Sequence, residues 1–169
     1  MTVRVYLSLG SNQGDCRTNL ARGVESLRQE GVQVGACSSL YETEPVGVEG
    51  QPDFLNMACC AETALDPVSL LLACQRIERE MNGVSDKHLK PRKLDIDILF
   101  YGRRIVETPE LRIPHPAWDR RGFVLVPLEE IAPDWLDPVT GRRVADVRRD
   151  CTDTSRVLPV RMPNPLEER

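Results

Sequence analysis

Hydrophobic and polar residues alternate from the start of the chain. Val3, Val5, Leu7 and Leu9 are separated by Arg4, Tyr6 and Ser8, the two-residue period of a strand. Gly10-Ser11-Asn12-Gln13-Gly14 follows and has the composition of a turn. Asp15 then precedes Leu20, Val24 and Leu27 at helical spacing, and Gly31 ends the run; together they predict a capped helix. Val32 to Tyr41 predicts a second strand and Phe54 to Thr63 a third. Residues 42–53 hold Pro45, Gly47, Gly50 and Pro52. They predict a loop of about a dozen residues, a length often associated with binding.

Asp66-Pro67 places a capping side chain before a proline at the first helical position. Val68, Leu71, Leu72, Ile77 and Met81 mark the expected buried face of this second helix. Asn82 to Lys90 is polar and loop-like, and Lys93 to Tyr101 is the clearest strand. Beyond Pro114 and Pro116, a short apolar helix is expected over Val124 to Ile131. A turn at Asp137-Pro138 to Gly141, a small helix at Val144 to Asp150 and a loose tail from Pro159 to Arg169 complete the chain. The order strand, helix, strand, strand, helix, strand predicts an α+β fold. Its form is a ferredoxin-like βαββαβ sheet with helices on one face and a C-terminal extension. One domain is expected over residues 1–158, with a flexible tail at 159–169.

Composition narrows the function. The 169 residues are 41% hydrophobic and 28% charged, ordinary for a soluble globular chain. No apolar run of about 18 residues predicts a membrane span, and the first residues lack the pattern of a secretory signal. Cys16, Cys37, Cys59, Cys60, Cys74 and Cys151 form no CxxC pair, and Cys59 and Cys60 lie in an apolar run. Reduced, mostly buried thiols and a cytoplasmic location are therefore expected. Neither His88 nor His115 has a cysteine at zinc-ligand spacing. The net charge of −4 argues against a nucleic-acid partner. Against that acidic background, the three lysines, Lys87, Lys90 and Lys93, fall together around Arg92.

This basic segment leads directly into Asp95 and Asp97. On a strand the two carboxylates share one face, roughly 6.6 Å apart, while Leu94, Ile96, Ile98 and Phe100 take the other. Alone, the pair reads as a solvated strand face. With Arg92 and Lys93 beside it, the pair suits a polyphosphate held through magnesium, which needs hard oxygen ligands for the metal and cations for the remaining charge. Phe54 and Asn56 also share a strand face. An aromatic plane beside a two-sided amide suits a flat heterocycle, although alone the pair reads as a core phenylalanine and a strand-edge asparagine. Gln75 and Glu78 share a helix face, and His115, Arg120 and Arg121 add donors in a proline-marked segment.

These blocks resemble 6-hydroxymethyl-7,8-dihydropterin pyrophosphokinases of folate biosynthesis. Arg92-Lys93-Leu94-Asp95-Ile96-Asp97-Ile98-Leu99 is similar to the family signature. Leu9-Gly10-Ser11-Asn12, Ser38-Ser39-Leu40-Tyr41 with Thr43 and Pro45, and Gln51-Pro52-Asp53-Phe54-Leu55-Asn56 agree in order. So do Gln75-Arg76-Ile77-Glu78, Pro114-His115 and Arg121-Gly122-Phe123-Val124-Leu125 with Pro127-Leu128. The resemblance spans roughly residues 3 to 150. It implies transfer of a pyrophosphoryl group from ATP to the hydroxymethyl oxygen of a reduced pterin, leaving AMP. It further implies that Asp95 and Asp97 bind two Mg²⁺ ions, and that Arg92, Asp97 and Arg121 are catalytic. Gln75, Glu78, Arg92, Ile98 (through its backbone), His115 and Arg121 would line the ATP site. Thr43, Pro45, Val46, Phe54, Asn56 and Phe123 would line the pterin site. A monomer is expected, and charge and hydropathy predict no nucleic-acid or membrane partner.

The chain departs from the family pattern between residues 82 and 90. No arginine follows Gly83, no tryptophan is present in that loop, and Lys90 stands where a small residue is usual. Lys87, His88 and Lys90 are candidate replacement donors in a loop that closes over the substrates. Glu44 beside Pro45 is a milder departure. A catalytically weakened nucleotide- or pterin-binding relative is the alternative these differences raise. A ferredoxin-like RNA-binding module is the other, and the aromatic content of 5% with a negative net charge counts against it.

Overall fold

The computed structural model describes residues 1–84, 90–161 and 166. The elements in chain order are β1 (Val3–Ser11), α1 (Cys16–Gln29), β2 (Val32–Cys37), β3 (Tyr41–Thr43), β4 (Phe54–Thr63) and α2 (Pro67–Asn82). They continue with β5 (Asp95–Tyr101), β6 (Val106–Glu107), β7 (Arg112–Ile113), α3 (Gly122–Ile131), α4 (Val144–Asp150) and β8 (Val157–Pro159). The starts of α1 and α2 follow from their aspartates. The Asp15 carboxylate accepts from the Thr18 N–H at 3.1 Å and that of Asp66 from the Ser69 N–H at 2.9 Å, satisfying amides that have no partner within the helix.

The main sheet runs β5-β1-β4, with β2 and β3 following one another along the outer edge of β4 and β8 outside β3. Every pairing is antiparallel. This is the expected ferredoxin-like order. The single strand expected over Val32 to Tyr41 is instead two. The pairing with β4 shifts register between Val34 and Cys37, and Ser38 bridges the break. Its N–H donates to the Ala58 carbonyl and its hydroxyl accepts from the Ala58 N–H, both at 2.9 Å.

Two apolar layers sandwich the sheet. Leu7, Leu9 and Ile96 pack beneath Leu20, Val24 and Leu27 of α1 and Leu70 and Ile77 of α2. On the opposite face, Tyr6, Leu99 and Phe100 pack with Trp118 and with Val124, Leu125 and Leu128 of α3. The Phe100 and Trp118 rings meet edge-on at 4.9 Å, a preferred aromatic geometry. The helices of the βαββαβ unit thus lie on one face, as expected, and the extension covers part of the other. What it leaves uncovered, at the ends of β1, β4 and β5, is the site described below.

Three expectations shift. Val68 and Leu72 are exposed rather than buried. Leu70-Leu71-Leu72 is apolar all round, so periodicity alone cannot phase it, and the buried face runs through Leu70, Cys74, Ile77 and Met81. β5 begins at Asp95, because the amides of Lys93 and Leu94 donate to the Asn82 side-chain oxygen instead of to a strand. Phe100 lies on the aspartate face, because a bulge at Leu99 pairs Leu7 with Ile98 and Tyr6 with Phe100. At the C-terminal end, Val157–Pro159 pair with β3, so that strand ends on the first residue of the expected tail. Leu166 is buried in the core.

Candidate active site

The floor of the site is built by strand alternation. Ser8 and Gly10 of β1 lie opposite Asp97 and Asp95 of β5, and Gly10 lies opposite Asn56 of β4. All five line one cavity of about 350 Å³. Gly10 is required by close approach: a Cβ there would lie 2.5 Å from Asn56 Oδ1, well inside contact distance. The Asn56 amide is held from the other side by donating to the Thr43 hydroxyl at 2.6 Å. Its orientation is therefore fixed before any ligand arrives. Phe54 flanks it on β4, and Pro45, Val46 and Phe123 complete an apolar slot.

The charged end is organised by Arg92. Although it is buried, its Nε donates to Asp95 Oδ1 at 2.6 Å and its Nη2 lies 3.8 Å from the buried Glu78 carboxylate. Its Nη1 is buried without a hydrogen-bond partner among the described residues. A buried guanidinium with an unused donor favours an anionic oxygen at that position. Asn12 fixes the backbone of Arg92 by accepting its N–H at 2.7 Å, while the Asn12 N–H donates to the Arg92 carbonyl at 2.9 Å. The Asn12 side-chain amide also donates to Gln51 Oε1 and to the Pro52 carbonyl. One buried asparagine therefore ties the phosphate-suited wall to the 44–53 loop.

His115 stands beside Asp97. Its N–H donates to the Leu99 carbonyl at 3.0 Å. Its Nδ1 accepts from the Ala117 N–H at 3.1 Å, which assigns the proton of the neutral ring to Nε2. Nε2 lies 4.0 Å from Asp97 Oδ1. Burial lowers the pKa of His115 below its ordinary value; the Asp97 carboxylate opposes this and the Arg121 cation adds to it. The Arg121 guanidinium lies 5.7 Å from the Phe123 ring centre, a cation–π distance. Between them the Gly122 N–H donates to Asp153 at 2.8 Å, fixing the start of α3.

The cavity gathers Thr43, Pro45, Val46, Phe54, Asn56, Lys90, Arg92, Asp95, Asp97, His115, Arg121 and Phe123, all expected from the sequence. Gln75, Glu78 and Ile98 do not line it. Gln75 is exposed on α2, Glu78 is buried against Arg92, and the Ile98 side chain packs in the core on the opposite face. Lys87 and His88 lie outside the described residues. Ser8 and Gly10 were missed, although small residues on the polar side of an otherwise apolar strand are a signal that a ligand or side chain must approach. Asn12 and Asn82 were missed as organisers. Asn82 donates to the Leu94 carbonyl at 2.7 Å and accepts the Lys93 N–H, also at 2.7 Å, turning the chain into β5.

Among the described residues no three acidic, histidine or cysteine side chains form a metal cage. The two partly exposed carboxylates of Asp95 and Asp97, in contrast, share one cavity wall. Two hard oxygen donors fit Mg²⁺, which completes its shell with water and substrate phosphates rather than with protein.

Comparison with known proteins agrees with this geometry. The profile of the 7,8-dihydro-6-hydroxymethylpterin-pyrophosphokinase (HPPK) family matches residues 6–133. The chain belongs to this family. The 2-amino-4-hydroxy-6-hydroxymethyldihydropteridine pyrophosphokinase of Bacillus subtilis is 46% identical over 127 residues, which cover 75% of this chain and 76% of that one. The Pseudomonas aeruginosa protein of the same description is 38% identical over 152 residues, covering 89% and 93%. The folic acid synthesis protein fol1 of Pneumocystis carinii is 42% identical over 141 residues, and there the match takes up 19% of the fungal chain. Among solved structures, Plasmodium falciparum HPPK-DHPS with pteroate superposes with a TM-score of 0.70 at 17% identity, over 88% of this chain and 42% of that one. At that identity the likeness speaks to the fold. The family match ends after α3 and before α4 and β8, so only these last two elements of the C-terminal extension lie beyond it.

Proposed function

We propose that this chain transfers the pyrophosphoryl group of ATP to the hydroxymethyl oxygen of 6-hydroxymethyl-7,8-dihydropterin, releasing AMP, a step of folate biosynthesis. The observation that carries the reading is the shared floor. Asn56, the Phe54–Phe123 slot and the Asp95–Asp97 pair open into one cavity, so a flat ring in the slot directs a substituent toward the carboxylates. The bacterial relatives are named pyrophosphokinases of the same hydroxymethyldihydropterin, which supports the reading.

The slot binds the pterin through its faces, and the fixed Asn56 amide with the backbone of residues 43–46 reads its edge. Asp95 and Asp97 would hold Mg²⁺, with two ions expected. When bound, Mg²⁺ neutralises phosphate charge and aligns the entering and leaving oxygens. Arg92 offers its unused donor to a phosphate oxygen, and Arg121 and Lys90 bring further positive charge. His115 presents Nε2–H and so acts as a donor to an oxygen rather than as a proton acceptor. The protein's contribution is positioning and charge neutralisation, which is what phosphoryl-type transfer demands. Gln75, Glu78 and the Ile98 backbone remain the proposed nucleotide side, Glu78 acting through Arg92.

The test is AMP release with ATP, Mg²⁺ and the reduced pterin, omitting each in turn. Asp95→Asn and Asp97→Asn should each lower kcat by more than about a hundredfold, the scale of removing one preorganised charge-stabilising group. Pterin affinity measured calorimetrically without nucleotide should stay within about twofold. Wild-type protein that binds both substrates without forming AMP would establish a weakened relative instead.

A further inference from the structure

The 44–53 loop carries Glu44, Glu49 and Asp53 and no lysine or arginine. Its turns use Gly47 and Gly50 at φ +81° and +80°, so little in its backbone enforces one shape. Yet Glu44, Pro45, Val46, Val48 and Gln51 line the cavity. Asn12 holds it at Gln51 and Pro52; what holds its two ends, Glu44 and Asp53, comes from the other end of the chain. β8 pairs Val157 with Thr43, bringing Arg156 between the two ends of the loop. The Arg156 N–H donates to Glu44 Oε1 at 2.7 Å, the Glu44 N–H donates to the Arg156 carbonyl at 3.3 Å, and the Arg156 guanidinium pairs with the Asp53 carboxylate. The same segment reaches the facing wall. Asp153 accepts the Gly122 N–H at 2.8 Å and the Ser155 N–H at 2.9 Å, and Gly122 sits between Arg121 and Phe123.

We infer that residues 153–157 brace the two walls of the ring slot, and that Arg156 is a positioning residue for the flat ring substrate. The inference rests on the proposed function above. The Arg156 guanidinium neutralises Asp53 at one end of the loop, its backbone holds Glu44 at the other, and the segment ties both to the helix that carries Phe123. Without its guanidinium, Asp53 loses its cation and only the backbone bonds to Glu44 remain, so the loop spends less time closed on the ring. The nucleotide side, anchored by Arg92 and Asn12, is untouched by the brace.

An exposed pair contributes up to about 1 kcal/mol, or roughly fivefold in an equilibrium. Arg156→Ala should therefore raise KM for the reduced hydroxymethylpterin about fivefold at low salt, with kcat and KM for ATP within about twofold and Tm nearly unchanged. Arg156→Lys should recover most of the loss, and the swap Asp53→Arg with Arg156→Asp should outperform either single variant. Roughly 1 M salt should bring the wild type toward the variant, because screening weakens the pair. An unchanged pterin KM in Arg156→Ala, or an equal rise in both KM values, overturns the inference. If wild-type protein forms no AMP, the reaction assignment fails instead. The brace is then read by limited proteolysis within residues 44–53: faster cutting in Arg156→Ala supports it and equal cutting overturns it.

Discussion

Replacing Asn12 by alanine probes the joint between the two halves of the site. The side chain is 3% exposed. It accepts the Arg92 N–H at 2.7 Å and donates to Gln51 Oε1 at 3.0 Å and to the Pro52 carbonyl at 3.2 Å. At about 1 kcal/mol for each hydrogen bond, the loss is about 3 kcal/mol, and the stranded Arg92 amide keeps it from falling lower. For a chain of this size that corresponds to a drop of about 6–12 °C in Tm. Urea denaturation should show a lower midpoint with an unchanged slope, since the folded surface is not remodelled. Because Arg92 and the 44–53 loop loosen together, KM should rise for both ATP and the pterin. Gln51→Ala removes one of the three bonds, should cost about 1 kcal/mol, and should move the pterin KM alone. An Asn12→Ala protein destabilised by less than about 1 kcal/mol, or with both KM values unchanged, would refute the reasoning.

Gly10→Ala places a methyl group 2.5 Å from Asn56 Oδ1, in a side chain already held by Thr43. Overpacking of this kind costs about 1–3 kcal/mol, so pterin affinity measured by calorimetry should fall at least about fivefold while ATP affinity is retained. The pH dependence of stability follows from His115. Its pKa in the folded state lies below the ordinary 6.5, so on acidification the unfolded chain takes the proton first. The contribution of His115 is complete above pH 6.5 and is lost as the pH falls through the folded value. Denaturation midpoints measured from pH 8 to 5 should fall less steeply for His115→Asn than for the wild type, and parallel profiles would contradict this.

Much of the site was legible because its signals are local. Asp95 and Asp97 share a face by alternation, and so do Phe54 and Asn56. Asp15 and Asp66 announced their helices. The less legible parts depend on contacts distant in sequence. Glu78 and Gln75 sit three residues apart on α2, yet Arg92 buries one and leaves the other in solvent. The break at Ser38 depends on Ala58 across the sheet, and Gly35, inside the register shift, is its one local cue. Asn12 looked like one turn residue among five. Its role appears only when Arg92 and Pro52, eighty and forty residues later, arrive beside it.

The bulge at Leu99 separates two reading frames within one strand. Upstream, alternate positions deliver Asp95 and Asp97 to the cavity; downstream, Phe100 joins the aromatic layer and Tyr101 turns to the opposite side, where its hydroxyl donates to the Leu65 carbonyl. The unpaired residue also aims its carbonyl at the His115 amide. Deleting Leu99 would thus remove the anchor of the imidazole and force a choice between the two frames: keeping Phe100 in its layer would turn both carboxylates toward the oily side of the sheet. Insertions elsewhere in the loops face no such dilemma, so related chains should vary freely in length there and not at this position.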